Sequence, residues 1–341
     1  MTAVAPTTRA RYYAQRFTWL AQGLALRGML GLVEEQADYP PELIQGIRER
    51  YRELMERDLQ NAAEGYYPRD LLFDMPSRRR LARFVADVPR SRKRRQTRAW
   101  RDLPSDVNTS AYPPYYRRTF HWQTDGWFSK HSASIYDVSV EVLFLGSADV
   151  MRRQAIPHLV RASRSRGDEP LRILDVACGT GRFLGQLARA MPDHRYTGLD
   201  LSAWYLQEAR EQLAGVRHLS IVEHDAEQLP FIDASYDAMT CIYLFHELPP
   251  RARGQVLREM FRVLRPGGLC VLVDAIQLVD RPELEPVLDA FHKSFHEPFF
   301  RNYIEEDLAA RATQAGFQVE TVENWHVSKV VVARKPPELT E

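Results

Sequence analysis

"DVACGTGRFLG", residues 175–185, places three glycines in one short stretch directly after the apolar residues Leu171, Ile173 and Leu174. The apolar run has the length of a buried strand and the residues after Gly181 have helical periodicity, so the stretch reads as strand, turn and helix. A turn at that place brings backbone against a ligand only where side chains are missing. Gly179 and Gly181 meet that need, and the free amides of the helix beginning near Gly181 point into the same crevice. In open parallel sheets ligands lie at the carboxyl ends of the strands, where this turn sits.

The pattern repeats outward from there. Short apolar runs near 171–177, 195–200, 219–223, 237–243 and 268–274 alternate with amphipathic stretches near 181–190, 203–213 and 250–263. Such alternation predicts parallel strands joined by helical crossovers. "IEEDLAARATQAGF" (304–317) reads as a helix, and "QVETVE" and "SKVVVAR" as two strands joined by a short turn. The predicted fold class is therefore α/β: a doubly wound, mostly parallel sheet with an antiparallel C-terminal edge strand, behind a helical N-terminal extension.

Charge divides the 341 residues in the same way. Residues 1–167 carry 28 Lys/Arg against 18 Asp/Glu (+10), and residues 168–341 carry 18 against 27 (−9), for a whole-chain charge of +1. The predicted division is an extension or lid over 1–167 and a ligand-binding domain over 168–341. In the extension, Phe17, Leu20 and Leu24 recur at helical spacing, and Ile44, Ile47, Tyr51, Leu54, Met55 and Leu59 form one face of a second helix. "RSRKRRQTRAWR" (90–101) is the densest positive charge. "YPPYYRRTFHWQTDGWFSKHSASIYD" (112–137) fits neither period and reads as loop and short turns; 138–163 reads as one helix with Val140, Leu143, Phe144, Met151 and Leu159 inward. Cys178, Cys241 and Cys270 suit neither a disulfide framework nor a zinc site, which points to a reducing, cytoplasmic compartment. No run of 18 uncharged apolar residues exists to span a membrane. Organelle targeting by the acid-free first 33 residues is the competing reading of the N-terminus.

Two cofactor classes compete for the glycine turn. A dinucleotide site wants G-x-G-x-x-G; here the third position is Leu184, and Gly185 comes one place late. Asp200, at the end of the second strand, suits ribose hydroxyls of either class. Asp225, after the third strand, suits an adenine amino group. With no arginine cluster for a pyrophosphate, these acids favour an adenosine cofactor without phosphates.

In order, "ILDVACGTGRF", "YTGLDLS", "EHDAEQLPF", "YDAMTCIYLFHEL" and "VLRPGGLCVLVD" resemble the successive motifs of class I S-adenosylmethionine-dependent methyltransferases, especially the ubiquinone/menaquinone-type group. The resemblance covers roughly residues 170–335. It implies S-adenosyl-L-methionine as cofactor, with Asp175 near the methionine amino group and Ala177, Gly179 and Gly181 approaching through backbone. It further implies Asp200 on the ribose, Asp225 and the Ala226 amide on adenine, Leu201 against the ring, and Tyr243 beside the methionine moiety. "RPGG" (265–268) would be a structural turn before the fifth strand. Ala177 stands where many members have glycine.

Methyl transfer from a sulfonium is an in-line displacement, so the expected work of the protein is to hold donor and acceptor and exclude water. A base is needed only where the acceptor must lose a proton. His246, His131 and His121 are the candidates, with His246 at the pocket edge; the competing reading gives His246 no acid–base task, and Glu247 beside it reads as a helix cap. Tyr136 is expected near the donor, and Trp122, Trp127 and His131 near a small-molecule acceptor of aromatic or extended apolar character. Aromatic faces also suit a sulfonium, although the same segment reads equally as packing. His292 and His296, four apart without a third ligand, read as packing, so no metal is expected. The arginine run leaves an RNA-directed methyltransferase as an alternative, disfavoured by the absence of an RNA-binding module and by "YLFH" in place of an Asn/Asp-Pro-Pro-aromatic motif. A solvated basic face, or docking to an acidic partner or membrane headgroups, suits the run better. A non-catalytic cofactor-binding module is the other alternative, and a monomer or homodimer is expected.

Overall fold

The structure, a computed structural model, describes residues 4–31, 39–167 and 169–337. Asp168 of the connector, and Leu32 and Val33 at the end of the first apolar segment, lie outside the described residues. Among the described residues six α-helices come first: α1 (Pro6–Met29), α2 (Pro41–Ala63), α3 (Arg78–Gln96), α4 (Lys130–Leu143), α5 (Ala148–Arg153) and α6 (Ile156–Arg164). There follow β1 (Arg172–Val176), α7 (Arg182–Ala190), β2 (Arg195–Asp200), α8 (Ala203–Gln212), β3 (Leu219–Glu223), β4 (Tyr236–Ile242), α9 (Pro250–Val263) and β5 (Leu264–Ala275). Helices α10 (Glu285–Phe295), α11 (Phe300–Glu305) and α12 (Leu308–Gln314) lead to the hairpin β6 (Gln318–Trp325) and β7 (Ser328–Arg334).

The seven strands form one sheet in the order β3-β2-β1-β4-β5-β7-β6. Strands β1 to β5 are mutually parallel, and β7 runs antiparallel to both β5 and β6. This is the expected doubly wound sheet, and the strand order reverses between β1 and β4, which opens a crevice at their carboxyl ends.

Successive strand side chains point to opposite faces, so each strand feeds two cores. Ile173, Ala238, Val271, Val273, Val330 and Val332 meet α6 and α7 on one face, and Tyr12, Leu54, Met55 and Leu59 from α1 and α2 join that same core. Leu174, Val176, Met239, Cys241, Cys270 and Leu272 meet α9, α11 and α12 on the other. The N-terminal helices thus share apolar burial with the sheet. A buried ion pair adds to this contact: Arg153 donates from Nε and Nη2 to Asp58 at 2.9 and 2.6 Å, and the Tyr12 and Tyr67 hydroxyls donate to the same carboxylate at 2.7 and 2.6 Å.

Several sequence expectations need correction. Residues 130–137 are helical rather than loop, because Ser129 caps α4 by accepting the Ser132 amide hydrogen. This helix buries Ile135 and Val138 on one side and turns Tyr136, Val140 and Leu143 to a cavity on another; apolar on both sides, it lacks an amphipathic signature. The single helix expected over 138–163 is three, the first break falling at Leu145 and Gly146, which have φ of +52° and +82°. The helix expected over 304–317 is divided by Asp307, whose side chain caps α12. Arg265–Gly268 forms an irregularity inside β5, where the register slips between the pairs Tyr236–Leu264 and Ala238–Leu269.

The arginine run lies in and just after the C-terminal half of α3 and is partly structural. Arg95 donates to the Gly31 carbonyl at 2.8 Å, and the buried Arg94 binds Asp102, the Trp122 carbonyl and Thr124. Among the described residues no helix is long and apolar enough to cross a membrane.

Candidate active site

The turn after β1 carries three residues with positive φ: Ala177 at +57°, Gly179 at +55° and Gly181 at +75°. The two glycines serve different ends. A side chain at Gly179 would meet nothing within 4 Å, so this backbone faces open cleft, whereas one at Gly181 would stand 2.7 Å from Leu213. Gly181 therefore permits close helix packing and is not among the cleft-lining residues. The extension holds the turn from behind: the Thr180 hydroxyl donates to Asp137 of α4 at 2.7 Å, and Arg182 Nε donates to Asp149 of α5 at 3.0 Å.

Asp200, at the tip of β2, accepts the Gly179 amide at 2.9 Å and the Ser202 amide at 2.8 Å. Asp225 follows β3 and accepts the Glu227 amide at 2.8 Å. Both line the cleft, with Ala177, Leu201, Ala226 and Tyr243. Asp175 does not: it is buried, accepts a hydrogen bond from Thr240 at 2.6 Å, and loss of hydration pushes its carboxyl up to about 7.

The loop after α3 closes the cleft. The Tyr115 hydroxyl donates to Glu227 at 2.6 Å, and the Ser202 hydroxyl donates to the Trp127 carbonyl at 2.6 Å. Trp127 stacks on Phe120 with centroids 3.6 Å apart. The lining holds the carboxylates Asp200, Asp225 and Glu247 against one arginine, Arg118. That balance, with aromatic walls and an unobstructed Gly179, fits an adenosine cofactor bearing a cation and opposes a pyrophosphate.

Comparison with known proteins agrees with this chemistry. Residues 173–268 match the family model described as a methyltransferase domain. The chain is 40% identical to the demethylmenaquinone methyltransferase of Deinococcus radiodurans over 141 residues, 41% of this chain and 55% of that protein. It is 37% identical to the fatty-acid O-methyltransferase of Mycolicibacterium smegmatis over 148 residues, 42% and 52% of the two chains. With the ubiquinone/menaquinone biosynthesis C-methyltransferase of Desulfotalea psychrophila, identity is 30% over 192 residues, 55% of this chain and 72% of that one. The chain belongs to the class I S-adenosylmethionine-dependent methyltransferases. It spans from about half to under three quarters of the length of these curated relatives.

A second cavity, of about 1140 Å³, lies beside the cofactor cleft. Trp127, Tyr136, Tyr243 and Glu247 line both spaces and mark the seam between them. The larger cavity is walled by Phe17, Leu20 and Leu24 of α1, Val140 and Leu143 of α4, and Phe291 of α10. The apolar stripe of α1 seen in the sequence faces this cavity, and Phe17 remains 70% exposed. Tyr12, Trp19, Gly23 and Leu26 took the interior, because Gly23 lets the helix approach Leu145 closely.

His246 lines the same cavity, and its Nδ1 donates to Asp274 at 2.6 Å. Burial opposes charge on this imidazole, but the Asp274 carboxylate outweighs it and lifts the pKa to about 9. The Asp274 carboxylate thus favours the charged form of His246. His121, on the cavity wall, has Glu297 Oε1 2.9 Å from its Nε2 without a hydrogen bond formed between them, and burial lowers its pKa to about 4. Glu247, expected as a helix cap, faces both spaces; burial and the nearby Glu297 push its carboxyl up to about 8.

Two expected acceptor contacts are not at the site. His131 is on the outer side of α4, with Nε2 3.0 Å from Asp87, and lines neither space. Trp122 donates from Nε1 to the Ser294 carbonyl at 2.8 Å and packs against His296. Residues so close in sequence to Trp127 and Tyr136 diverge because His121, Trp122 and Asp125 all adopt positive φ and turn the loop sharply. His296 stacks on Trp100, and His292 Nδ1 bonds the Glu297 carbonyl, so both serve packing. Sequence reading missed Asp274 and Glu297; Asp274 is marked by its place at the end of the last parallel strand, and Glu297 by nothing.

Proposed function

We propose that the protein transfers a methyl group from S-adenosylmethionine to an elongated, mostly apolar small molecule carrying an acidic oxygen. The observation that carries this reading is the seam: Trp127, Tyr136, Tyr243 and Glu247 belong at once to the cofactor cleft and to a cavity large enough for a lipid-like acceptor. The cofactor, when bound, supplies an electrophilic methyl group on a sulfonium. In this reading Asp200 takes the ribose, Asp225 and the Ala226 amide take adenine, Leu201 lies against the ring, and Ala177 and Gly179 approach through backbone. Asp175 and Gly181 support the turn from behind. Trp127 and Tyr136 present faces to the cation and keep water from the reacting centre.

His246, held protonated by Asp274, pairs with the deprotonated oxygen of the acceptor and orients it. A charge-assisted contact of this kind is stronger than a neutral one. We assign residues 1–167 to a lid whose helices supply most of the acceptor's apolar surroundings. Arg9, Arg27, Arg48 and Arg52 share the cavity with the exposed Phe17 and Leu24; this suits peripheral contact with an anionic membrane from which such an acceptor is drawn. The free, buried Cys178, Cys241 and Cys270 suit the reducing cytoplasm.

The test is calorimetric titration with S-adenosylmethionine and S-adenosylhomocysteine, followed by mass spectrometry of products from a panel of long-chain fatty acids and prenylated hydroquinones. Micromolar binding and a gain of one methyl group on a panel member are expected. Binding without transfer to any acceptor favours a regulatory module, and no binding overturns the reading.

A further inference from the structure

Three side chains from separate parts of the chain converge on the wall of the large cavity. His121 comes from the loop before α4, Glu247 from the turn after β4, and Glu297 from the segment after α10. One ligating atom of each lies within 4.8 Å of the other two. His121 Nε2 stands 2.9 Å from Glu297 Oε1, and among the described residues neither these atoms nor Glu297 Oε2 has a partner in good hydrogen-bond geometry; the Glu247 and Glu297 carboxyl groups interact directly with each other. Glu297 is 1% exposed. A buried carboxylate whose polar neighbours are a second carboxyl and an imidazole nitrogen, with no well-formed hydrogen bond to the imidazole, is an expensive arrangement unless something between them accepts their lone pairs.

We propose that His121, Glu247 and Glu297 bind a divalent transition-metal ion whose remaining coordination positions face the cavity. Bonds of about 2.1 Å place neighbouring ligands of an octahedral ion about 3 Å apart and opposite ones about 4.2 Å apart; His121 Nε2 and Glu297 Oε1 already stand 2.9 Å apart, and all three atoms lie within 4.8 Å of one another. The imidazole selects zinc, manganese or iron(II) over magnesium and calcium. Two carboxylates balance the charge of the ion. His121 and Glu247 line the cavity while Glu297 does not, so protein closes one side of the ion and leaves the other open. Because Glu247 also borders the cofactor cleft, an oxygen held at an open position would sit next to the methyl donor. That use of the ion rests on the methyl-transfer reading; the binding of the ion does not.

The full-length protein, stripped with a chelator, is titrated separately with Mn²⁺ and Zn²⁺ by calorimetry, and the manganese form is examined by electron paramagnetic resonance. One equivalent bound at micromolar or tighter Kd is expected, with nitrogen coupling from His121. Glu297→Gln should weaken binding by about a hundredfold or more while leaving S-adenosylhomocysteine affinity within about twofold. His121→Asn, which should lose the nitrogen coupling, serves if Glu297→Gln fails to fold. Substoichiometric binding to the wild type, or undiminished binding by the folded variants, overturns the site and leaves a carboxyl pair sharing one proton. Metal binding without any S-adenosylhomocysteine binding would sink the methyl-transfer reading and keep this one.

Discussion

Asp200 Oδ2 accepts the Gly179 amide hydrogen at 2.9 Å, so the tip of β2 and the turn after β1 are joined at the point where the cofactor cleft opens. Replacing Asp200 with Ala removes both this anchor and the carboxylate facing the cleft. Affinity for S-adenosylhomocysteine should fall about a hundredfold, equivalent to about 2.7 kcal/mol. Calorimetry measures it, and an unchanged Kd would remove Asp200 from the cofactor site.

Ala177 holds φ at +57° with a side chain lining the cleft. A left-handed residue with a Cβ costs about 1–2 kcal/mol, and the extra unfolded-state freedom of glycine returns about 0.4–1 kcal/mol of that. Ala177→Gly should therefore be neutral or stabilising by up to about 1.6 kcal/mol. Ala177→Val should lose about 2 kcal/mol or more and weaken cofactor binding. Urea unfolding of both variants decides; equal effects would mean that the strain is not borne here.

Trp122 and Trp127 are five residues apart and should behave in opposite ways. Trp127 lines the cleft and the cavity, while Trp122 packs outside both. Trp127→Phe should raise KM for the acceptor about tenfold or more with little loss of stability. Trp122→Ala should cost about 3–5 kcal/mol through the void it leaves, with KM unchanged in the folded fraction. The reverse result would mean that the acceptor lies on the other side of α4.

Asp58 ties α1, α2 and α5 together through Tyr12, Tyr67 and Arg153. Asp58→Asn leaves the Arg153 charge buried without a counter-ion and should destabilise the protein by about 3–5 kcal/mol. Thermal unfolding checks this, and a loss below about 1 kcal/mol would mean that water reaches the guanidinium.

Glu141 is buried, and loss of hydration together with the Asp149 charge pushes its carboxyl above the ordinary value of 4.5. Between that value and its raised folded-state pKa, the native protein holds a proton that the unfolded chain has lost, so stability falls as pH rises toward neutrality. Glu141→Gln keeps the acceptor for the Asp149 amide and removes the titration. The stability of the variant relative to wild type should therefore rise as pH increases from about 4.5 to 8. A difference independent of pH would show that Glu141 is ionised throughout.

The parallel sheet and its glycine turn were legible because their signals are local. Apolar runs of strand length, a break in side chains at Gly179, and acids at the ends of successive runs are all written in consecutive residues. The acceptor side was less legible. Trp122, Trp127, His131 and Tyr136 are equivalent by composition, and only the backbone path of the loop sends Trp127 and Tyr136 inward. The apolar stripe of α1 has the same pattern whether it meets a core or walls a cavity.

Sequence alone therefore determined the α/β class, the strand boundaries within a few residues, and a cleft chemistry suited to an unphosphorylated adenosine cofactor. The tertiary structure decided which residues meet across distance: Asp274 with His246, Glu297 with His121 and Glu247, and Asp137 and Asp149 with the glycine turn. Periodicity reports how a segment contacts its surroundings, and not which surroundings those are; pairing across tens of residues or more is set by packing of whole helices against the sheet, for which no short run of residues carries a signal.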